Sequence, residues 1–135
     1  MIIDAHNHPW AEMTAENMIA NMDQYGIDQC WLLSCETPKD ECRPNEHMSA
    51  RFFDGVACNM SFARCVAFSQ LYPKRFVLGY APDPRLPDAI NRLQKAIDSC
   101  GVRVCGEVKY RMAVDDANTV RMCRFCGGFG TAGCD

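Results

Sequence analysis

The sequence predicts an α/β fold assembled from βα units around a parallel sheet, and three observations carry that expectation. Four strand-like apolar runs alternate with segments whose apolar residues recur at helical spacing. The helical segments are bracketed by residues that start and stop helices. The strands begin roughly 25 to 50 residues apart, which fits βα units of a closed barrel or of an open doubly wound sheet. Periodicity alone leaves that choice open.

The first strand is expected over residues 2–6, inside MIIDAHNHPW. Thr14 is placed to cap a helix running through Tyr25, with Met18, Met22 and Tyr25 on one face and Gly26 as its stop. The second strand is IDQCWLLS, residues 27–34. The polar, proline-bearing stretch ETPKDECRPNEHMSARFFDG follows; loops of about 20 residues without periodicity are usually functional or disordered. A helix over 61–71, ended by Pro73, leads to the third strand FVLGYA, residues 76–81. Pro87 suits the first turn of the next helix, whose apolar face is Ile90, Leu93, Ile97 and Cys100, and Gly101 closes it. VRVCGEVK, residues 102–109, is the fourth expected strand, and Asp115 or Asp116 caps a last helix through Cys126.

Composition narrows the function classes. The 135 residues suit one domain, with 48% apolar and 23% charged residues, as in globular proteins. A net charge of -3 with scattered Lys and Arg excludes nucleic acid and acidic membrane as main partners. No apolar run approaches the roughly 20 residues that span a bilayer. Asp4, His6 and His8 interrupt the opening apolar run and no basic segment precedes it, so a signal peptide is not expected and the cytoplasm is. The ten cysteines fall mostly within helix or strand patterns, where thiols pack as small hydrophobes, so reduced thiols are expected. Cys123-x-x-Cys126 with Cys134 lacks a second matching pair and is read as core and tail thiols, not as a zinc or redox cluster.

The chemistry concentrates at two strand ends. In a strand, residues i and i+2 share a face, so His6 and His8 project together, with Asp4 behind them. Two neutral imidazoles so placed can hold one divalent ion, and buried without one both rings need other partners. They stand at the carboxyl end of the first strand, the edge where parallel α/β folds keep their sites. By the same alternation Glu107, Lys109 and Arg111 share a face of the fourth strand. Glu107 then serves either as an oxygen ligand or as the partner of Lys109 in an ion pair inside the sheet. Arg111 offers a bidentate fork for a substrate carboxylate, or is a rim charge. His47, in the long loop, is either a substrate contact reaching over the site or a solvated surface residue.

The segments IIDAHNHP, YPKRFVLGYAPDP and GVRVCGEVKYRMAVDDANTVRMCRFCG together resemble the amidohydrolase superfamily, in particular the amidohydrolase-related group that also contains decarboxylases. The resemblance covers residues 1–127 and implies the N-terminal half of a TIM-type barrel of βα units. It implies one or two divalent metals at the strand ends, commonly zinc, with manganese or iron as alternatives. His6 and His8 match the first-strand ligands, and Glu107, or a carbamylated Lys109, matches the fourth-strand position. The resemblance further implies a metal-dependent hydrolase acting on a small molecule through an amide, ester or lactone-like bond. Decarboxylation of a carboxylic acid on the same scaffold, or a non-catalytic fragment, are the other readings. Family members continue with further strands carrying ligand histidines and a general-base aspartate. Here residues 128–135 depart from the pattern, as expected of a disordered tail at a truncated or frame-shifted gene end. Four strands of an eight-stranded barrel leave open edges, from which self-association is expected.

Overall fold

The structure, a computed structural model, describes residues 1–10, 12–35, 37–38, 41, 53–54, 57–58 and 60–128. It opens with strand β1 (Ile3–Asn7), helix α1 (Ala15–Gln24) and strand β2 (Gln29–Leu33). A short pair, β3 (Phe53–Asp54) and β4 (Ala57–Cys58), precedes helix α2 (Phe62–Leu71) and strand β5 (Phe76–Gly79). Helices α3 (Ala89–Cys100) and α4 (Ala117–Gly128) follow.

Local chemistry explains most boundaries. The Thr14 hydroxyl accepts the backbone N–H of Asn17 at 3.1 Å and so caps α1. Ser61 does the same for α2 through Arg64, at 3.4 Å. Of the two aspartates before α4, Asp116 is the one that accepts a first-turn N–H, from Asn118 at 2.8 Å. Pro87 lies one residue before the N-cap position, Asp88, rather than in the first turn. Gly101 ends α3 with φ 70°, and its N–H returns to the Ile97 carbonyl at 3.0 Å, a conformation open to glycine without strain.

The main sheet is parallel, ordered β1-β2-β5. Ile3 pairs with Gln29, and Cys30 to Leu33 run beside Phe76 to Gly79. The expected fourth strand is reduced to one parallel bridge, Gly79 with Val104, supported by Tyr80 N–H to Val104 carbonyl at 3.0 Å. Gly79 permits that approach: a side chain there would run into the Leu33 side chain and come within 3.3 Å of the Gly106 carbonyl oxygen. Beyond Val104 the chain leaves the sheet, so strand alternation does not govern residues 107–111. The end of the long polar stretch, expected to lack regular structure, forms β3, which pairs antiparallel with β4 just beyond the stretch.

Strand order decides the question that periodicity left open. Within the main sheet each strand lies beside the next one of that sheet in chain order, and the Val104 segment lies outside β5, not beside β1 as a doubly wound sheet would place it. The helices also pack on one face. Cys30, Leu32, Phe76 and Leu78 share a single apolar cluster with Met18, Met22, Cys65, Phe68, Leu93 and Met122. Trp31 and Val77 alternate to the opposite face and are half-buried. Sequential parallel strands with helices on one side are the architecture of part of a (βα) barrel. Among the described residues, no helix is long and apolar enough to cross a membrane.

Leu32 and Leu93 are fully buried in that cluster, at 0% and 1% exposure. Leu32→Ala or Leu93→Ala is therefore expected to cost about 2–5 kcal/mol of stability, read as a lower denaturation midpoint in urea at unchanged slope.

Candidate metal centre

The first strand carries a register irregularity between Asp4 and Asn7, as bulges beside functional sites often do. Side chains brace it. The Asp4 carboxylate accepts the His6 backbone N–H at 3.2 Å and the Asn7 side-chain amide at 2.9 Å, and the Asn7 carbonyl oxygen accepts the His8 N–H at 2.8 Å. Asp4 was expected behind the histidines on their face. Engaged with Asn7 and the backbone, it instead lines the groove between β1 and α1 and is absent from the cavity of His6 and His8. Downstream, the Arg64 guanidinium donates to the carbonyls of Trp10 at 3.0 Å and Met13 at 2.8 Å, tying the loop after His8 to α2.

The two imidazoles do project together. His8 is buried and His6 exposed, with side-chain exposures of 8% and 58%. His8 Nδ1 lies 2.8 Å from the Leu33 carbonyl oxygen at the end of β2. A carbonyl can only accept, so Nδ1 carries the hydrogen and, in the neutral ring, Nε2 offers a lone pair. Such a bond is the usual way a protein fixes the tautomer and aim of a ligating histidine.

Glu107 completes a triangle. His6 Nε2 and His8 Nε2 are 3.1 Å apart, and Glu107 Oε2 lies 3.3 Å and 3.2 Å from them. An ion with bonds of about 2.1 Å would see ligand–ligand edges of about 3.4 Å in a tetrahedron or about 3.0 Å in an octahedron. The observed edges fall between the two. The donor set therefore fits a divalent cation, and two nitrogens with one oxygen suit zinc, manganese or iron. Among the described residues this is the one group of three such side chains able to converge on an ion. When the His8 ring carries a hydrogen on both nitrogens, a hydrogen bond from Nε2, with the charges of His8, Lys109 and His6 nearby, brings the Glu107 carboxyl down to about 2 against the opposing pull of burial.

The other sequence-predicted residues fare differently. Lys109 borders the same cavity, of about 230 Å³, but Glu107 is the group that meets the imidazoles. Arg111 was expected on the face of Glu107. Because the chain has left the sheet, Arg111 is exposed, is not part of the cavity wall, and instead donates its backbone N–H to Glu41 at 2.7 Å. His47, Cys134 and the tail from residue 129 lie outside the described residues. Cys123 is exposed and Cys126 buried, so the CxxC pair faces two ways. Burial, with the nearby charge of Asp4, pushes the Cys30 thiol up to about 12. Trp10, Cys35 and Met60 join the cavity wall; of these only Trp10, directly after HNHP, had a sequence signal by position.

No protein-family model and no curated protein matches the chain. Among solved structures it is similar to an uncharacterized TIM-barrel protein from Bordetella bronchiseptica, with 22% identity and a TM-score of 0.55. The similarity covers 87% of this chain and 37% of that one, so the chain spans little more than a third of the barrel it matches. That likeness establishes the fold.

If the three side chains hold an ion together, its affinity depends on each of them. His8→Ala, His6→Ala and Glu107→Gln are each expected to weaken zinc binding by at least about 100-fold, the upper end of what loss of an outer-shell partner costs, measured by competition with a chromogenic chelator. The sign of the pH effect follows from the depressed carboxyl, which stays ionised until the pH falls toward about 2. Acid release of the metal at any pH well above about 2 therefore does not report protonation of Glu107, and Glu107→Gln, which binds more weakly, should release it at a higher pH than the unaltered chain.

Proposed function

We propose that the chain carries the metal-binding part of a hydrolase of the amidohydrolase type, in which an activated water attacks an amide, ester or lactone-like bond of a small molecule. The convergence of His6, His8 and Glu107, their ligand atoms all within 4.8 Å of one another, is the observation that carries this reading. The resemblance of IIDAHNHP and its companion segments supports it, as does the position of the three groups at the rim of a barrel-like sheet. A divalent cation held there, with zinc the best match, would polarise the scissile carbonyl and lower the pKa of a water.

The chain's own residues prepare that chemistry. The Leu33 carbonyl fixes the His8 ring so that Nε2 points at the site. Glu107 stays ionised and supplies the negative charge that offsets a dication. Trp10 meets the His8 ring edge to face at 5.8 Å and, with Met60, gives the cavity apolar walls that keep bulk water from one side. Lys109 places an ammonium at the same cavity, suited to an anionic substrate group. That ammonium favours a second reading, decarboxylation of a carboxylic acid on the same scaffold.

The purified, zinc-loaded chain is to be offered a panel of activated esters, lactones and amides, alongside aromatic and aliphatic acids followed for carbon dioxide release. Hydrolysis that is lost on chelation, restored by zinc and absent from His6→Ala supports the first reading, and metal-dependent carbon dioxide release the second. Zinc uptake without either leaves a binding fragment.

We also propose a cytoplasmic protein that self-associates through the outer edge of β1, where Ile2 and Ile3 are 58% and 39% exposed. Sedimentation velocity is expected to show a dimer or larger species at micromolar concentration, and an Ile3→Lys variant to shift it toward monomer.

A further inference from the structure

Glu107 lies on a span of chain held at both ends. On its N-terminal side the last sheet contact is Val104. On its C-terminal side the chain is gripped by groups from two distant loops. The Thr37 hydroxyl donates to the Lys109 carbonyl at 2.8 Å, and the Tyr110 hydroxyl donates to the Ala81 carbonyl at 3.0 Å. Glu41 Oε2 accepts the Arg111 N–H at 2.7 Å.

Arg85 joins these contacts into one unit. Its guanidinium meets Glu41 Oε1 at 2.5 Å and the Asp83 carboxylate at 2.6 Å, and it lies over the Tyr110 ring at 5.6 Å. Asp83 also receives the Arg85 backbone N–H, which fixes the base of the arginine. The Glu41 carboxyl is held below its ordinary range by the Arg111 N–H and by Arg85, consistent with a carboxylate already committed on both oxygens. A planar fork with two carboxylates and an aromatic face is geometry that lysine cannot reproduce.

We propose that Arg85 is a positioning residue for Glu107: through Glu41 and Tyr110 it clamps residues 110–111 and so fixes the carboxylate against His6 and His8. The proposal rests on Glu107 being a ligand, and it adds a loop residue 22 positions upstream that sets where that ligand stands. The clamp contains neither a cavity-lining group nor a first contact of the ion, so it acts through the chain that carries Glu107.

Two measurements on the whole chain test it. In the metal-free protein, Arg85→Met is expected to speed amide hydrogen exchange at residues 106–111 while leaving the core amides of 30–33 unchanged. In the zinc-bound protein it is expected to weaken affinity by about 10- to 100-fold and to alter the visible spectrum of the cobalt derivative. Arg85→Lys should rescue little, and Glu41→Gln should reproduce the defect. Arg92→Met, which breaks the comparable exposed pair with Asp88 on α3, should change neither readout. Unchanged exchange at 106–111 in Arg85→Met overturns the clamp, as does loss of melting temperature with affinity and spectrum intact. Faster exchange at 106–111 in Arg85→Met, together with a wild-type chain that takes no zinc, leaves the clamp standing and removes the metal reading instead.

Discussion

The hydrogen bond between the His8 ring and the Leu33 carbonyl is the constraint on which the site depends. It joins β1 to β2 at their carboxyl ends and commits one ring nitrogen, so the other must deal with whatever faces it. What faces it is a second imidazole nitrogen at 3.1 Å and a carboxylate oxygen at 3.2 Å. Three electron-rich atoms at that separation repel unless a positive charge lies among them, either a proton or a cation. A proton and a metal ion would therefore compete for one place, and the depressed Glu107 carboxyl expresses the same attraction from the acidic partner's side.

The fold makes that concentration of polar groups affordable by putting it at a rim. The helices bury one face of the sheet in the apolar cluster that holds Cys30, Leu32, Phe76 and Leu78. The site occupies the other side, at the ends of β1 and β2 and in the segment that leaves the sheet after Val104. His8 alone is deeply buried, and it is the member whose remaining nitrogen is satisfied by backbone. His6 stays largely exposed, where water meets the needs that the protein does not.

Much of this was legible in the sequence because it is local. Helix starts at Thr14 and Ser61, the stop at Gly101 and the shared direction of His6 and His8 depend on neighbours within a few positions. The fourth strand was not legible as it stands. VRVCGEVK alternates like a strand, yet only Val104 finds a partner, because pairing is decided by the neighbouring strand and Gly79 offers a close approach at one point. Asp4 was misplaced for a related reason: alternation assumes an unbroken strand, and the irregularity at residues 4–7 gives its carboxylate a local N–H to accept. The Arg85, Glu41 and Tyr110 unit has no sequence signal, since its members are brought together from three separate loops.

The departure of the chain from the sheet also explains why three ionisable residues at alternate positions end in three different roles. Had residues 107–111 continued as a strand, Glu107, Lys109 and Arg111 would all have entered the barrel interior, placing two cations beside one anion and two imidazoles. Such a cluster opposes a dication. By leaving the ladder, the chain keeps Glu107 against the imidazoles, holds Lys109 at the edge of the cavity where its charge still favours the ionised carboxyl, and turns Arg111 out to solvent. The broken strand is what leaves the triangle net negative, and a net negative triangle is what a divalent cation needs.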